Sequence, residues 1–421
     1  MSASITSPAP TTPPAPTHPA GPARTTPARP TTAPAQVPVF WLALLAAPIA
    51  AGSNAPVLIL PDMARSLGVG AATASWLVTA FAWAMAVGTP LMASLLRRRC
   101  LRTVLRLSGA LVLTGTVLVA ASPWLPLALA GRAAQAAGGA GLVTSAMSLA
   151  GSARRMGVIS AGFGMLGAAG PLLGEHLTAA LSWRAALTVS AISLLAVAKV
   201  SRYAREVPPA QGRFDARGAA LLTAFATALV LLPTAPAYAA GAAVLGGALL
   251  SWHVARRPEG FVPLELLRTP AFRVSALLAL AASTSYFTLL FAVPRLLADR
   301  AGWSKEAVGT GQLAALLAGA ALSWFFAAGS ARMSRATVRT VLLGLGAAAA
   351  ATATVASWGP LLLVAVAVAV FTSTGSNAVL SVHAATSAPE RARATAIGLF
   401  TLCYQMGGAF GPGIATALVL S

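Results

Sequence analysis

From about residue 38 onward the chain is a succession of apolar runs cut by short polar or basic breaks. A helix of ~20 apolar residues is what crosses the hydrocarbon core of a bilayer. The pattern predicts thirteen spanning helices, near 38–61, 73–96, 104–121, 124–148, 157–179, 183–200, 216–233, 236–254, 272–296, 308–329, 337–356, 359–380 and 396–420. A soluble core does not account for so many long runs, so the expected fold class is an all-α integral membrane protein. Most spans are rich in Gly and Ala, which points to closely packed helices.

Composition agrees: 57% of the 421 residues are hydrophobic and only 9% are charged. The excess of 29 Lys+Arg over 9 Asp+Glu invites a nucleic-acid partner, but the bases sit in short loops, at the spacing of a topology signal. With the N-terminus cytoplasmic, Arg97, Arg98, Arg99, Arg102, Arg154, Arg155, Arg202, Arg205, Arg213, Arg217, Arg332 and Arg335 fall inside, and Arg65, Arg184, Arg295, Arg300 and Lys305 fall outside. The expectation is a multi-pass protein of the cell membrane with its N-terminus in the cytoplasm. Residues 1–36 are Pro-, Ala- and Thr-rich with no acid and no apolar run, which reads as a disordered tail rather than a signal peptide. Two cysteines, Cys100 and Cys403, make no framework, and the four histidines are scattered. No metal, cofactor or nucleic-acid partner is called for.

A repeat shows through the pattern. "LPDMARSLGVGAATASWL" follows the first span and "VPRLLADRAGWSKEAVG" follows the ninth. Gly157, Gly167, Gly170 and Pro171 of the fifth span recur at the same spacing as Gly398, Gly408, Gly411 and Pro412 of the thirteenth. Two related bundles are expected, over 37–200 and 269–421, with 201–268 supplying two linking helices. The second bundle then has five helices, its last one apparently missing.

At this point the chain resembles the 14-span drug:proton antiporter branch of the major facilitator superfamily. "LPDMARSLG" resembles the end of that branch's first helix, and "GRAAQAAGGAG" its fourth-helix motif, with Arg132 and Gln135 in place. "GAAGPLLG" resembles the fifth-helix exporter motif, while "RFDARGAALLTAF" and "FVPLELLRTPAFR" resemble the starts of helices seven and nine. The resemblance implies two pseudo-symmetric bundles, alternating access and export. It also implies two acids that are absent: Ala93 and Arg97 stand where a Gly and an Asp belong after helix two, and Gly52 stands for the embedded Asp of helix one. These departures bear on coupling rather than on fold.

Several residues are candidates for the work. Gly167, Gly170, Pro171 and Gly174 clear one helix face and free a backbone carbonyl, giving a closely packed, bendable helix; the resemblance gives this element its exporter role. Glu175 and His176, with Asp62 in an outer loop, are the titratable candidates for proton coupling. Simple solvation of the first two, and pairing of the outer-loop acids Asp62, Asp299 and Glu306 with Arg65, Arg300 or Lys305, are the plainer readings. Arg132 lies inside a span, where a lone cation is costly, and is expected to face a central cavity. Asn54, Trp83, Tyr286, Gln312, Asn377, Tyr404 and Gln405 are candidate linings of that cavity.

No phosphate loop, zinc spacing or nucleophile–base pair is present, so an enzyme is not expected. The sequence points to a secondary transporter, monomeric, exporting small hydrophobic or amphiphilic compounds against protons. An uncoupled uniporter and a non-transporting membrane sensor stay open as alternatives.

Overall fold

Pro56 breaks the first apolar run into two helices, because a proline offers no N–H to the preceding turn. α1 (Val39–Asn54) and α2 (Pro56–Leu67) meet there at a bend of 56°. This computed structural model describes residues 37–151, 153–203, 214–232, 235–389 and 392–417; the tail expected at 1–36, and Arg205 and Arg213, lie outside them.

A short α3 (Ala71–Ala74) leads into α4 (Trp76–Arg98), followed by α5 (Leu101–Ala120), α6 (Leu125–Leu149) and α7 (Ala153–Ala180). The sixth expected span is not one helix: α8 (Trp183–Leu187), a 3-10 turn over Val189–Ser193 and α9 (Leu194–Ser201) share it. α10 (Ala216–Val230) and α11 (Pro236–Arg256) form the linking pair, and α12 (Leu264–Arg268) is a short connector. α13 (Pro270–Ala301), α14 (Lys305–Gly329), α15 (Arg335–Val355), α16 (Gly359–Thr386) and α17 (Arg393–Ala415) complete the chain of helices. Each expected span has a helical counterpart. Among the described residues, eight helices are long and apolar enough to cross a membrane, and nine if the bent pair counts as one span.

α1 packs on α7, and α4 and α5 pack on α6; the later helices repeat this, with α13 on α17 and α14 and α15 on α16. Small residues make the repeat physical. A side-chain carbon at Gly170 of α7 would lie 2.8 Å from the Ala51 carbonyl oxygen of α1. One at Gly411 of α17 would lie 2.8 Å from the Thr288 backbone nitrogen of α13. The two groups of helices meet along α4 and α17 and at one end of α7 and α14. Arg97 and Arg98 at the end of α4 mark one end of the helices, the basic end.

The linking pair is anchored twice. Trp83 Nε1 of α4 donates to Thr227 Oγ1 of α10 at 3.0 Å. Asp215 is a hub: it caps α10 through the Gly218 N–H at 3.0 Å and accepts from the Phe261 N–H at 2.9 Å. His253 Nε2 of α11 lies 3.0 Å from the same carboxylate. Burial alone would raise this carboxyl, but those two N–H groups and the imidazole outweigh it and hold Asp215 below the ordinary value.

Candidate functional site

A proline in a helix leaves the carbonyl four residues earlier without its N–H, and in an apolar environment that oxygen needs another donor. Three such carbonyls are answered by side chains. Pro171 frees Gly167 of α7, and Asn54 Nδ2 of α1 donates to its oxygen at 2.9 Å. Pro294 frees Leu290 of α13, and Gln312 Nε2 of α14 donates to it at 2.9 Å. Pro56 frees Gly52, and Arg132 Nη2 of α6 donates there at 3.1 Å.

Arg132 is fully buried. Besides Gly52 it donates through Nη1 to Gln135 Oε1 at 3.1 Å and through Nε to the Leu77 oxygen at 3.4 Å. Its guanidinium lies 4.2 Å from the Phe81 ring centroid, a cation–π contact. Gln135 passes the network on, donating to Thr116 Oγ1 at 3.3 Å and to the Leu187 oxygen at 3.1 Å. That last oxygen sits where α8 gives way to the 3-10 turn. The expectation that Arg132 faces a central cavity is therefore corrected: it ties α1, α4 and α6 together behind Phe81, inside the first bundle. An acid at Gly52 would be crowded, since a side-chain carbon there would lie 3.1 Å from Ser190 Cβ and 3.3 Å from the Ser190 backbone nitrogen.

The cavity between the bundles is lined by Ser53, Asn54, Phe81 and Met85 on one side and by Phe287, Phe291 and Gln405 on the other. Its volume is about 20 Å³, room for about one water. Tyr286 lies beside Asn54 and near Tyr404, and Ser373 Oγ donates to the Tyr404 hydroxyl at 3.1 Å. Of the candidate lining residues, Asn54 and Gln405 line this cavity, while Tyr286 and Tyr404 are not part of its wall. The other candidates do not line it: Trp83 is held by Thr227, Gln312 caps Leu290 within the second bundle, and Asn377 is exposed on α16.

At the end opposite the basic one, charge crosses the seam. Lys305 Nζ, at the start of α14, lies 3.7 Å from Glu175 Oε1 of α7 and 3.8 Å from Asp62 Oδ2 of α2, while Arg65 also bonds Asp62. Glu175 Oε2 is buried without a hydrogen-bond partner. His176 turns away and bonds the Leu172 oxygen at 2.8 Å, so the proton-coupling candidates divide: Glu175 and Asp62 meet, and His176 stands apart. Of the exporter-motif residues, Gly167 and Gly170 face α1 and Gly174 faces the α1–α2 joint, so their packing lies within the first bundle rather than across the seam. Lys305 as the bridge went unrecognised, because its sequence neighbours gave it local acids to pair with.

A larger cavity of about 870 Å³ opens at the basic end, lined by Arg97 and Arg98 of α4, Phe214, Glu259 and Arg268 from the linking region, and Thr395 of α17. Arg97 Nη1 donates to Thr395 Oγ1 there at 3.2 Å, joining the bundles.

Comparison with known proteins bears on this architecture. Residues 40–412 match the sequence profile of the Major Facilitator Superfamily. Uncharacterized MFS-type transporters from two strains of Mycobacterium tuberculosis are 27% identical over 321 residues, 67% of this chain and 46% of theirs. The chain spans about half the length of these curated relatives. Among solved structures, a bacterial homolog of the human lysosomal transporter Spinster, inward-facing and unoccupied, superposes with a TM-score of 0.60 at 15% identity, covering 89% of this chain and 80% of that one. The human organic anion transporter MFSD10 (TETRAN) gives 0.58 at 18% identity, covering 91% and 94%. At such identities the likeness is one of fold.

Proposed function

The chain belongs to the major facilitator superfamily, and from that premise we propose that it is a secondary transporter of the cell membrane exporting small hydrophobic or amphiphilic compounds against protons. The observation that carries this reading is the closed, apolar and aromatic cavity on the seam between two repeated bundles, sealed differently at its two ends. Repeats that rock about a midplane site give alternating access. In this state the cavity is far smaller than the ~300–1,000 Å³ of a loaded small-molecule site, so the bundles part before solute enters.

The proton partner in this reading is Glu175, with Asp62 sharing its counter-ion. Glu175 keeps one carboxylate oxygen without a hydrogen bond beside the seam, and protonation would release its hold on Lys305. Export as the direction rests on the resemblance of Gly167, Gly170, Pro171 and Gly174 to the exporter motif. The basic end is the cytoplasmic one by the distribution of Lys and Arg.

Protein purified into liposomes tests this. Efflux of a panel of fluorescent amphiphiles under an imposed pH gradient is expected to follow the gradient and to lose that dependence in Glu175→Gln. Flux indifferent to the gradient would leave a uniporter, a reading that the missing acid at Gly52 favours. No flux for any compound would sink transport itself.

A further inference from the structure

The nine acids of this chain are distributed in a way that bears on what the seam accepts. Asp62, Asp299 and Glu306 sit at helix ends opposite the basic end, and Asp215, Glu259 and Glu265 lie outside the spans at the basic end. Glu206 and Glu390 lie in connections outside the described residues. That leaves Glu175 as the acid set back within a span, and Lys305 already faces it at 3.7 Å. No charged side chain is among the described residues lining the seam cavity.

The nearest fixed charge is positive. Arg132 stands directly behind the cavity-lining Phe81, its guanidinium 4.2 Å from the ring centroid. Its hydrogen-bond acceptors are the neutral oxygens of Gly52, Leu77 and Gln135, and among the described residues no carboxylate pairs with it. A buried cation answered only by dipoles leaves a net positive potential around it, poorly screened because water is excluded. The cavity wall next to it supplies hydrogen-bonding groups on Ser53 and Gln405 and ring faces on Phe81, Phe287 and Phe291. The cavity at the basic end sets Arg97, Arg98 and Arg268 against Asp215, Glu259 and Glu265 and so favours neither sign; the sign at the seam comes from Arg132, on a chain whose net charge of +20 draws anions at long range.

We propose that the seam site takes aromatic or amphiphilic anions and rejects cations, with Arg132 setting the sign from behind Phe81. This rests on the transporter reading and narrows its substrate class. Arg132 acts as a specificity-determining residue without touching the solute, because its charge reaches through the ring that does.

Three naphthalene probes of similar shape and fixed charge separate the outcomes: 1-naphthalenesulfonate, its uncharged sulfonamide, and naphthylmethyl-trimethylammonium. Binding to the purified full chain is read by quenching of tryptophan fluorescence, and flux is read separately in liposomes. The sulfonate is expected to bind at least about tenfold more tightly than the ammonium. Gln405→Glu, which adds a carboxylate to the lining at nearly constant volume, is expected to abolish or invert that order; Arg132→Gln should reduce it if the variant folds. Ammonium binding equal to or tighter than sulfonate binding in the wild type would overturn the inference while leaving transport standing. So would failure of all three probes to bind, or an unchanged order in Gln405→Glu. Sulfonate preference without flux of any probe would uphold the site and overturn the transport reading.

Discussion

Lys305 of α14 and Glu175 of α7 face each other at 3.7 Å across the seam between the bundles, at the end away from the basic loops. Asp62 shares the same ammonium at 3.8 Å. Lys305 is 61% exposed and Glu175 15%, so solvent screens the pair and its worth is modest. Lys305→Ala should loosen this closure by about two- to fivefold in population. The rate at which a thiol reagent reaches Leu58→Cys, buried just behind the seal, would report it, in a background of Cys100→Ser and Cys403→Ala. An unchanged rate would mean the ion pair does not help hold the seam.

The glycines of α7 should not be equivalent. A methyl at Gly167 would rest 3.4 Å from Ala50 Cβ, an ordinary contact, whereas one at Gly170 would strike the backbone of Ala51 in α1 and one at Gly174 the backbone of Ala55 at the α1–α2 joint. Gly167→Ala is expected to leave thermal stability near wild type, and Gly170→Ala and Gly174→Ala to cost about 1–3 kcal/mol through overpacking. Unfolding in detergent, followed by intrinsic fluorescence, would rank them. Equal effects at all three would refute the packing account.

Arg132→Lys keeps the charge but loses the planar fork that reaches Gly52, Gln135 and Leu77 together. Loss of those bonds should lower stability by about 2–4 kcal/mol. Thr116→Val removes only the 3.3 Å contact from Gln135 and should cost less than about 1.5 kcal/mol. A Tm that falls no further in Arg132→Lys than in Thr116→Val would show that the network is not what holds the bundle.

Asp215 contributes stability with a defined pH dependence. Its carboxyl is held below the ordinary value in the folded state, so the unfolded chain takes up its proton first as pH falls. The contribution is complete above the unfolded value, ~4, and is lost as pH drops through the lower folded value. Asp215→Asn should therefore melt at lower temperature than wild type at pH 7. The difference should shrink below about pH 4, and a gap that persists unchanged down to pH 3 would contradict the assignment.

Helix number and order were legible because spans are written in runs of apolar residues, and the repeat was legible because Gly170–Pro171 and Gly411–Pro412 occupy like places. What escaped were relations between residues far apart in the chain. The break at Pro56 could be suspected from its residue type, but that Arg132, 80 residues away, takes the freed Gly52 carbonyl depends on packing. The hub at Asp215 has no mark in the sequence around it, because its partners, His253 and Phe261, arrive from the far end of the linking pair. Trp83 and Gln312 resembled cavity residues, since an amide or indole inside a span is marked only as polar; whether it meets a solute or a helix backbone is decided by its neighbours. Asn54 and Gln405, which do line the seam cavity, carried the same mark in the sequence as the residues that do not.

The side chains that cap the proline-freed carbonyls have a consequence for motion. Arg132 and Gly52, and Asn54 and Gly167, belong to the first bundle, and Gln312 and Leu290 belong to the second. None of these bonds crosses the seam. In the proposed rocking of one bundle against the other, each donor would travel with its acceptor, so these three buried hydrogen bonds would be kept on either side of the stroke. Proline-interrupted helices that would each be a weak point if left to share water are thereby held within their own bundle, and in the proposed cycle the resistance to tilting falls to the packing of α4 on α17 and the polar contacts at the two ends.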